Sequence, residues 1–146
     1  MSTIVIVLQF FASLSLLVLV HEFGHFIMAR LFKVRVEKFQ IFFGSPIIKF
    51  KPKNSETEYG IGWLPLGGYV KIDGMIDESL DQEQMKRPVQ DWEFRSKPAW
   101  QRLLIMIMGV VFNFIFAFFL FCAISFTWGD KYIPFQSMTN GMSFSD

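Results

Sequence analysis

The sequence predicts an α-helical membrane protein with a small β-sheet, in which two transmembrane helices flank a cytoplasmic antiparallel β region able to re-enter the membrane. Three observations carry this. The stretches Ile4–Val20 and Leu103–Trp128 are free of charge, and each approaches or exceeds the length that crosses a hydrocarbon core. Between them lie β-branched and aromatic runs punctuated by glycine and proline, the pattern of short strands. Of the 14 Lys and Arg, all but Lys131 fall between Arg30 and Arg102, close to membrane ends as in cytoplasmic loops. Composition agrees: the chain is 52% hydrophobic with 19 phenylalanines and a mean hydropathy of +0.37, too apolar for an ordinary soluble domain. A net charge of +1 leaves no electrostatic footprint for nucleic acid. The single cysteine, Cys122, excludes a disulfide framework or a cysteine-rich metal site.

Residues 1–32 form the first predicted helix. Ile4–Val20 would rise roughly 26 Å, just short of the hydrocarbon core, and Phe23, Phe26, Ile27, Met28, Leu31 and Phe32 continue the apolar surface. No basic stretch precedes this run and no small-residue cleavage site follows it, so it is expected to be retained rather than removed as a signal peptide. Residues 33–72 should form the β-sheet or reentrant hairpin. Strands are expected over Val34–Phe43, Ile47–Lys53, Thr57–Trp63 and a short run ending at Ile72, with breaks at Gly44-Ser45-Pro46, Asn54-Ser55 and Leu64–Gly68. The apolar face of Phe39, Ile41, Phe43, Ile47 and Ile48 is too large to leave in water, and irregular backbone at membrane depth must be covered by protein.

Residues 73–102 read as a polar cytoplasmic loop, acidic and solvated from Asp73 to Glu93, followed by a basic and aromatic interfacial segment with Arg95, Lys97, Trp100 and Arg102. Pro98 suits a helix start. Residues 103–128 form the second transmembrane helix, whose one strongly polar residue, Asn113, lies four after Gly109. A small residue admits a neighbouring backbone and a buried amide seeks a partner across the contact, so both are packing positions or substrate contacts. Residues 129–146 should lie outside the cytoplasm.

The chemistry is concentrated in His21-Glu22-Phe23-Gly24-His25, which contains the only two histidines of the chain. On a helix, histidines four apart share a face and can hold one zinc ion, with the intervening glutamate placed to take a proton from a water at that metal. The result is peptide-bond hydrolysis without a covalent intermediate. Gly24 leaves room for metal, water or a neighbouring helix. A catalytic zinc site normally has three protein ligands, and no third histidine exists. Asp130 would lie at the far end of the second span, and Asp73 lies in the polar loop. The third ligand is therefore expected in a downstream part of a larger protein.

These motifs resemble the site-2 proteases, in particular the bacterial regulator-of-sigma-E protease (RseP) group. The likeness runs from about Val20 to Ala123. It rests on Val-His-Glu-Phe-Gly-His, on Val-Arg-Val-Glu-Lys-Phe at 34–39, on Phe43-Gly44 and on Leu-Pro-Leu-Gly-Gly-Tyr-Val-Lys at 64–71. It rests further on Phe94, Lys97, Gln101 and Arg102, and on Gly109 with Asn113-Phe114-Ile115-Phe116-Ala117. Val110 departs from the proline the group usually carries there.

The resemblance implies an intramembrane zinc metalloendopeptidase with His21 and His25 as metal ligands and Glu22 as the catalytic acid and base. Its substrates would be transmembrane segments, such as those of anti-sigma factors or remnant signal peptides. It implies a membrane-reentrant hairpin that presents the substrate as an added strand, with Gly67, Gly68, Gly109 and Asn113 as candidate substrate contacts. A PDZ region would follow Asp146, and a later Leu-Asp-Gly motif would supply the third ligand, so this fragment alone is expected to be inactive. The expected location is the bacterial inner membrane, with residues 33–102 cytoplasmic and both ends outside. A non-catalytic membrane scaffold retaining the fold is the alternative; a metal transporter is weakened by the lack of further intramembrane ligands.

Overall fold

The computed structural model describes residues 2–53, 55–75 and 88–129. Helix α1 spans Thr3–Leu31, uninterrupted because the run contains no proline and a single glycine. It carries the histidine motif as one continuous helix through its last three turns. The chain leaves α1 at Phe32 and Lys33, whose N–H groups donate to Met28 and Arg30 carbonyls at 3.1 Å. Lys33 takes a left-handed φ of 55°, which turns the chain back and lets the Val34 N–H donate to the Ala29 carbonyl at 2.8 Å, closing the helix end.

The expected four short strands are joined in pairs. Strand β1 runs Val36–Phe50 and β2 runs Glu58–Ile72, in one sheet whose overall pairing is antiparallel. Gly44-Ser45-Pro46 bends β1 instead of ending it, with positive φ at Phe42 and Gly44 (64° and 92°). Gln40, buried to 5% exposure, braces the bend. Its Nε2 donates to the Phe42 and Gly44 carbonyls at 3.0 and 2.7 Å, and the Tyr69 hydroxyl donates to its Oε1.

The bend puts the first half of β1 between both halves of β2. Lys38 to Ile41 face Lys71 back to Gly68 on one side and Glu58 to Ile61 on the other. The Gly68–Ile72 half of β2 therefore lies at an edge, and it lies against α1: Ser15 Oγ donates to the Pro65 carbonyl at 2.6 Å.

Helix α2 spans Ala99–Trp128. It begins after Pro98, whose carbonyl accepts the Gln101 and Arg102 N–H groups at 3.0 and 3.2 Å, as the proline predicts. The core gathers Ala29, Val34, Val36, Phe39, Val70, Ile72 and Ile105, with one residue from each helix, two from each strand and Val34 from the connection, at the end of α1 where the basic residues lie. There Thr57 Oγ1 donates to the Val36 carbonyl at 2.8 Å with no exposure of the residue.

The acidic stretch differs from expectation at its described ends. Asp73 and Glu93 are buried rather than solvated. Asp73 accepts the Phe94 N–H on its carbonyl at 2.8 Å and lies 3.5 Å from Arg35, while Glu93 pairs with Arg95 at 2.7 Å. Two carboxylates are buried there because fixed cations compensate them. The rest of that stretch, 76–87, and residues 130–146 lie outside the described residues.

Met1–Phe116 forms one compact unit, and the chain from Ala117 a second, which continues α2 and contains the Thr127 hydroxyl bond to the Ala123 carbonyl. The α1 and α2 helices are long and apolar enough to cross a membrane. The far half of the hairpin also leaves apolar side chains uncovered: Ile47 (71% exposed), Ile48, Phe50 and Trp63. The predicted apolar face is thus split, with Phe39 in the core and Ile47 and Ile48 outside it.

Candidate metal centre

One turn of α1 separates His21 from His25, and the helix brings their rings together with centroids 4.7 Å apart. Their Nε2 atoms are 3.1 Å apart. Two nitrogens bound to one tetrahedral zinc at 2.0–2.1 Å lie about 3.3 Å from one another, so the pair fits that ion with a shift of a few tenths of an ångström. His25 is oriented from α2: its Nδ1 lies 2.7 Å from the Ile105 main-chain carbonyl. A carbonyl only accepts, so the ring proton sits on Nδ1 and Nε2 offers its lone pair, the arrangement that fixes metal-binding imidazoles elsewhere.

Glycines permit this. A Cβ on Gly24 would stand 2.5 Å from the Met108 carbonyl oxygen and 3.0 Å from Gly109 Cα. The room left by Gly24 is thus taken by the neighbouring helix, as at small-residue crossings in membranes. A Cβ on Gly109 would lie 2.5 Å from His25 Nε2 and 2.7 Å from His21 Nε2. The sequence pointed to Gly109 as a packing or substrate position; the structure puts it against the two Nε2 atoms.

Glu22 reaches the sheet. Its Oε2 accepts the Val70 main-chain N–H at 3.2 Å. The edge of β2 therefore runs past the motif, from Pro65 at Ser15 through Gly67 at Val18 to Val70 at Glu22. Gly67 has φ of 128°, and a side chain on it would press on Val18 and the Phe43 ring. At Gly68 a side chain would collide with the Gln40 carbonyl oxygen. Both glycines are thus explained by strand geometry within the sheet.

Asn113 lies one turn beyond Gly109 on α2, and its Oδ1 is buried with no hydrogen-bond partner among the described residues. The residues that sequence reasoning missed are Ile105 and Val70, which act through main-chain groups and leave no side-chain signal, and Gln40. The last had a faint signal, a lone amide in an otherwise apolar run. Among the described residues no third histidine, cysteine or carboxylate joins the histidine pair.

The model of peptidase family M50 matches residues 9–145. The chain belongs to peptidase family M50. It is a member of the site-2 proteases, as its motifs indicated. It is 44% identical over 111 residues to the regulator of sigma-E protease RseP of Escherichia coli, covering 76% of this chain and 23% of that protein. It is 39% identical over 124 residues to a Thermotoga maritima protein provisionally named a zinc metalloprotease, covering 85% and 24%. It is also 35% identical over 129 residues to metalloprotease MmpA of Caulobacter vibrioides, covering 80% and 32%. The chain thus spans about a quarter to a third of the length of these curated relatives. The name of the Thermotoga maritima relative attaches zinc to the family, and the spacing of the histidine pair fits that ion.

Proposed function

We propose that this chain is the N-terminal part of an intramembrane zinc metalloprotease that hydrolyses peptide bonds in transmembrane segments of other proteins. The observation that carries the reading is the Nε2 pair at 3.1 Å with Glu22 beside it, on a helix apolar enough to cross a membrane. His21 and His25 would hold the metal. When bound, zinc supplies Lewis-acid activation of a water and of the scissile carbonyl. Glu22 takes the proton of the attacking water and passes it to the leaving amine. The Ile105 carbonyl keeps His25 in the ligating tautomer. The third ligand comes from a downstream segment, an aspartate in the group this chain belongs to, so the described part alone is inactive.

The substrate enters as an extended segment added to the edge of β2, the mode in which main-chain bonds give affinity. Anti-sigma factors and remnant signal peptides are the substrate classes this reading favours. The buried, unpartnered Oδ1 of Asn113 accepts from the main chain of that segment. In the membrane, residues 33–102 face the cytoplasm with both ends of the chain outside, since nearly all Lys and Arg lie in that stretch. The uncovered Ile47, Ile48, Phe50 and Trp63 dip into the inner membrane.

Glu22→Gln in the full-length protein should abolish cleavage of a membrane-embedded substrate while zinc content and folding stay unchanged. Normal turnover by that variant overturns the assignment, and a wild-type protein without bound metal would favour the scaffold alternative.

A further inference from the structure

We propose that the main-chain N–H of Val70 is shared: it holds the Glu22 carboxylate before substrate arrives and is passed to the main chain of the substrate when that strand adds to β2. This deepens the strand-addition reading above and rests on it. The Val70 N–H points away from β1, because its partner is Glu22 Oε2 at 3.2 Å while Val70 pairs with Phe39 on the opposite side. It is one of the groups that an added antiparallel strand would use.

Val70 is only 6% exposed, so water does not substitute for a partner, and a buried N–H left alone costs a full desolvation penalty. An acceptor must therefore always be present. Glu22 is the acceptor in this structure, and a substrate carbonyl is the acceptor that can replace it without loss. Nearby contacts close the same edge: Ser15 Oγ on the Pro65 carbonyl at 2.6 Å, and Gly67 packed so tightly on Val18 that a Cβ would sit 3.1 Å from its Cγ1. A substrate strand that opens this edge takes the Val70 N–H away from Glu22 Oε2, the carboxylate of the residue that accepts the proton of the attacking water. Val70 is thus a positioning residue acting through its backbone, and it couples arming of the base to the presence of an extended substrate.

The test compares two inactive forms of the full-length zinc-loaded protein in detergent micelles. The probe is a fluorescein-labelled, leucine-rich transmembrane peptide with a central Gly-Ala-Ser-Ala break, and its dissociation constant is read by anisotropy. Glu22→Gln keeps an acceptor for the Val70 N–H, whereas Glu22→Ala removes it. Glu22→Ala should bind the peptide about threefold to tenfold more tightly than Glu22→Gln, the equilibrium weight of one hydrogen bond no longer in competition. In a Val70→Pro background, which deletes the N–H, that difference should vanish.

Equal affinities for the two Glu22 variants overturn the shared N–H while leaving strand addition standing. A difference that persists with Val70→Pro also overturns it, because the carboxylate would then oppose binding by another route. A peptide that binds none of the forms sinks strand addition and this proposal together. Should Val70→Pro fail to fold, equal affinities of the two Glu22 variants still overturn the proposal.

Discussion

Gly109→Ala is the substitution for which the geometry predicts most. An alanine Cβ would stand 2.5 Å from His25 Nε2 and 2.7 Å from His21 Nε2, whereas ordinary contact begins near 3.4 Å. The imidazoles, or the α2 backbone, must therefore retreat by about 0.7–0.9 Å. His25 has little freedom to do so, because its Nδ1 is tied to the Ile105 carbonyl at 2.7 Å. A shift of that size stretches the bond to about 3.5 Å, beyond useful hydrogen-bond range. Losing such an orienting partner lowers metal affinity by about 10- to 100-fold, and ligand distances tolerate only about 0.2 Å of error. We expect Gly109→Ala to weaken zinc binding about a hundredfold or more, with helix content unchanged. Competition against a chelator, with the full-length protein in detergent, measures this. Zinc affinity within about twofold of wild type would refute the placement of Gly109 against the two nitrogens.

Asn113→Ala removes a buried acceptor that has no partner among the described residues, so the thermal midpoint should hold or rise while KM for a transmembrane substrate increases several-fold; a lower midpoint with unchanged KM would make the amide purely structural. Ser15→Ala deletes the hydroxyl bond to the Pro65 carbonyl and should loosen the β2 edge by about 1 kcal/mol, seen as faster amide exchange at residues 66–70. Thr57→Val leaves the buried Val36 carbonyl without the hydroxyl that donates to it and should cost about 1–3 kcal/mol in denaturant unfolding, with zinc affinity unaffected.

The two helices and the histidine pair were legible in the chain because each depends on local order alone. Charge-free runs of spanning length form helices in any apolar surrounding, and histidines at i and i+4 share a face wherever a helix exists. The β region was legible as strands but not as a sheet. Nothing local to Gly44-Ser45-Pro46 distinguishes a bend from an end, and the choice rests on Gln40 reaching the Phe42 and Gly44 carbonyls and on pairing partners some twenty and more residues away. Asp73 and Glu93 read as solvated because acidic runs usually are; the cations that let them be buried, Arg35 and Arg95, become partners only through the fold.

By itself, the sequence singled out the candidate residues: two histidine nitrogens, one carboxylate and their spacing, set by the pitch of a helix. Only the tertiary structure decided what surrounds them. It assigned the gap at Gly24 to the backbone of α2, the tautomer of His25 to the Ile105 carbonyl, and one oxygen of Glu22 to the edge of a strand. Each of these partners is a main-chain atom, or the space left by a missing side chain, and so has no residue type by which a sequence could announce it.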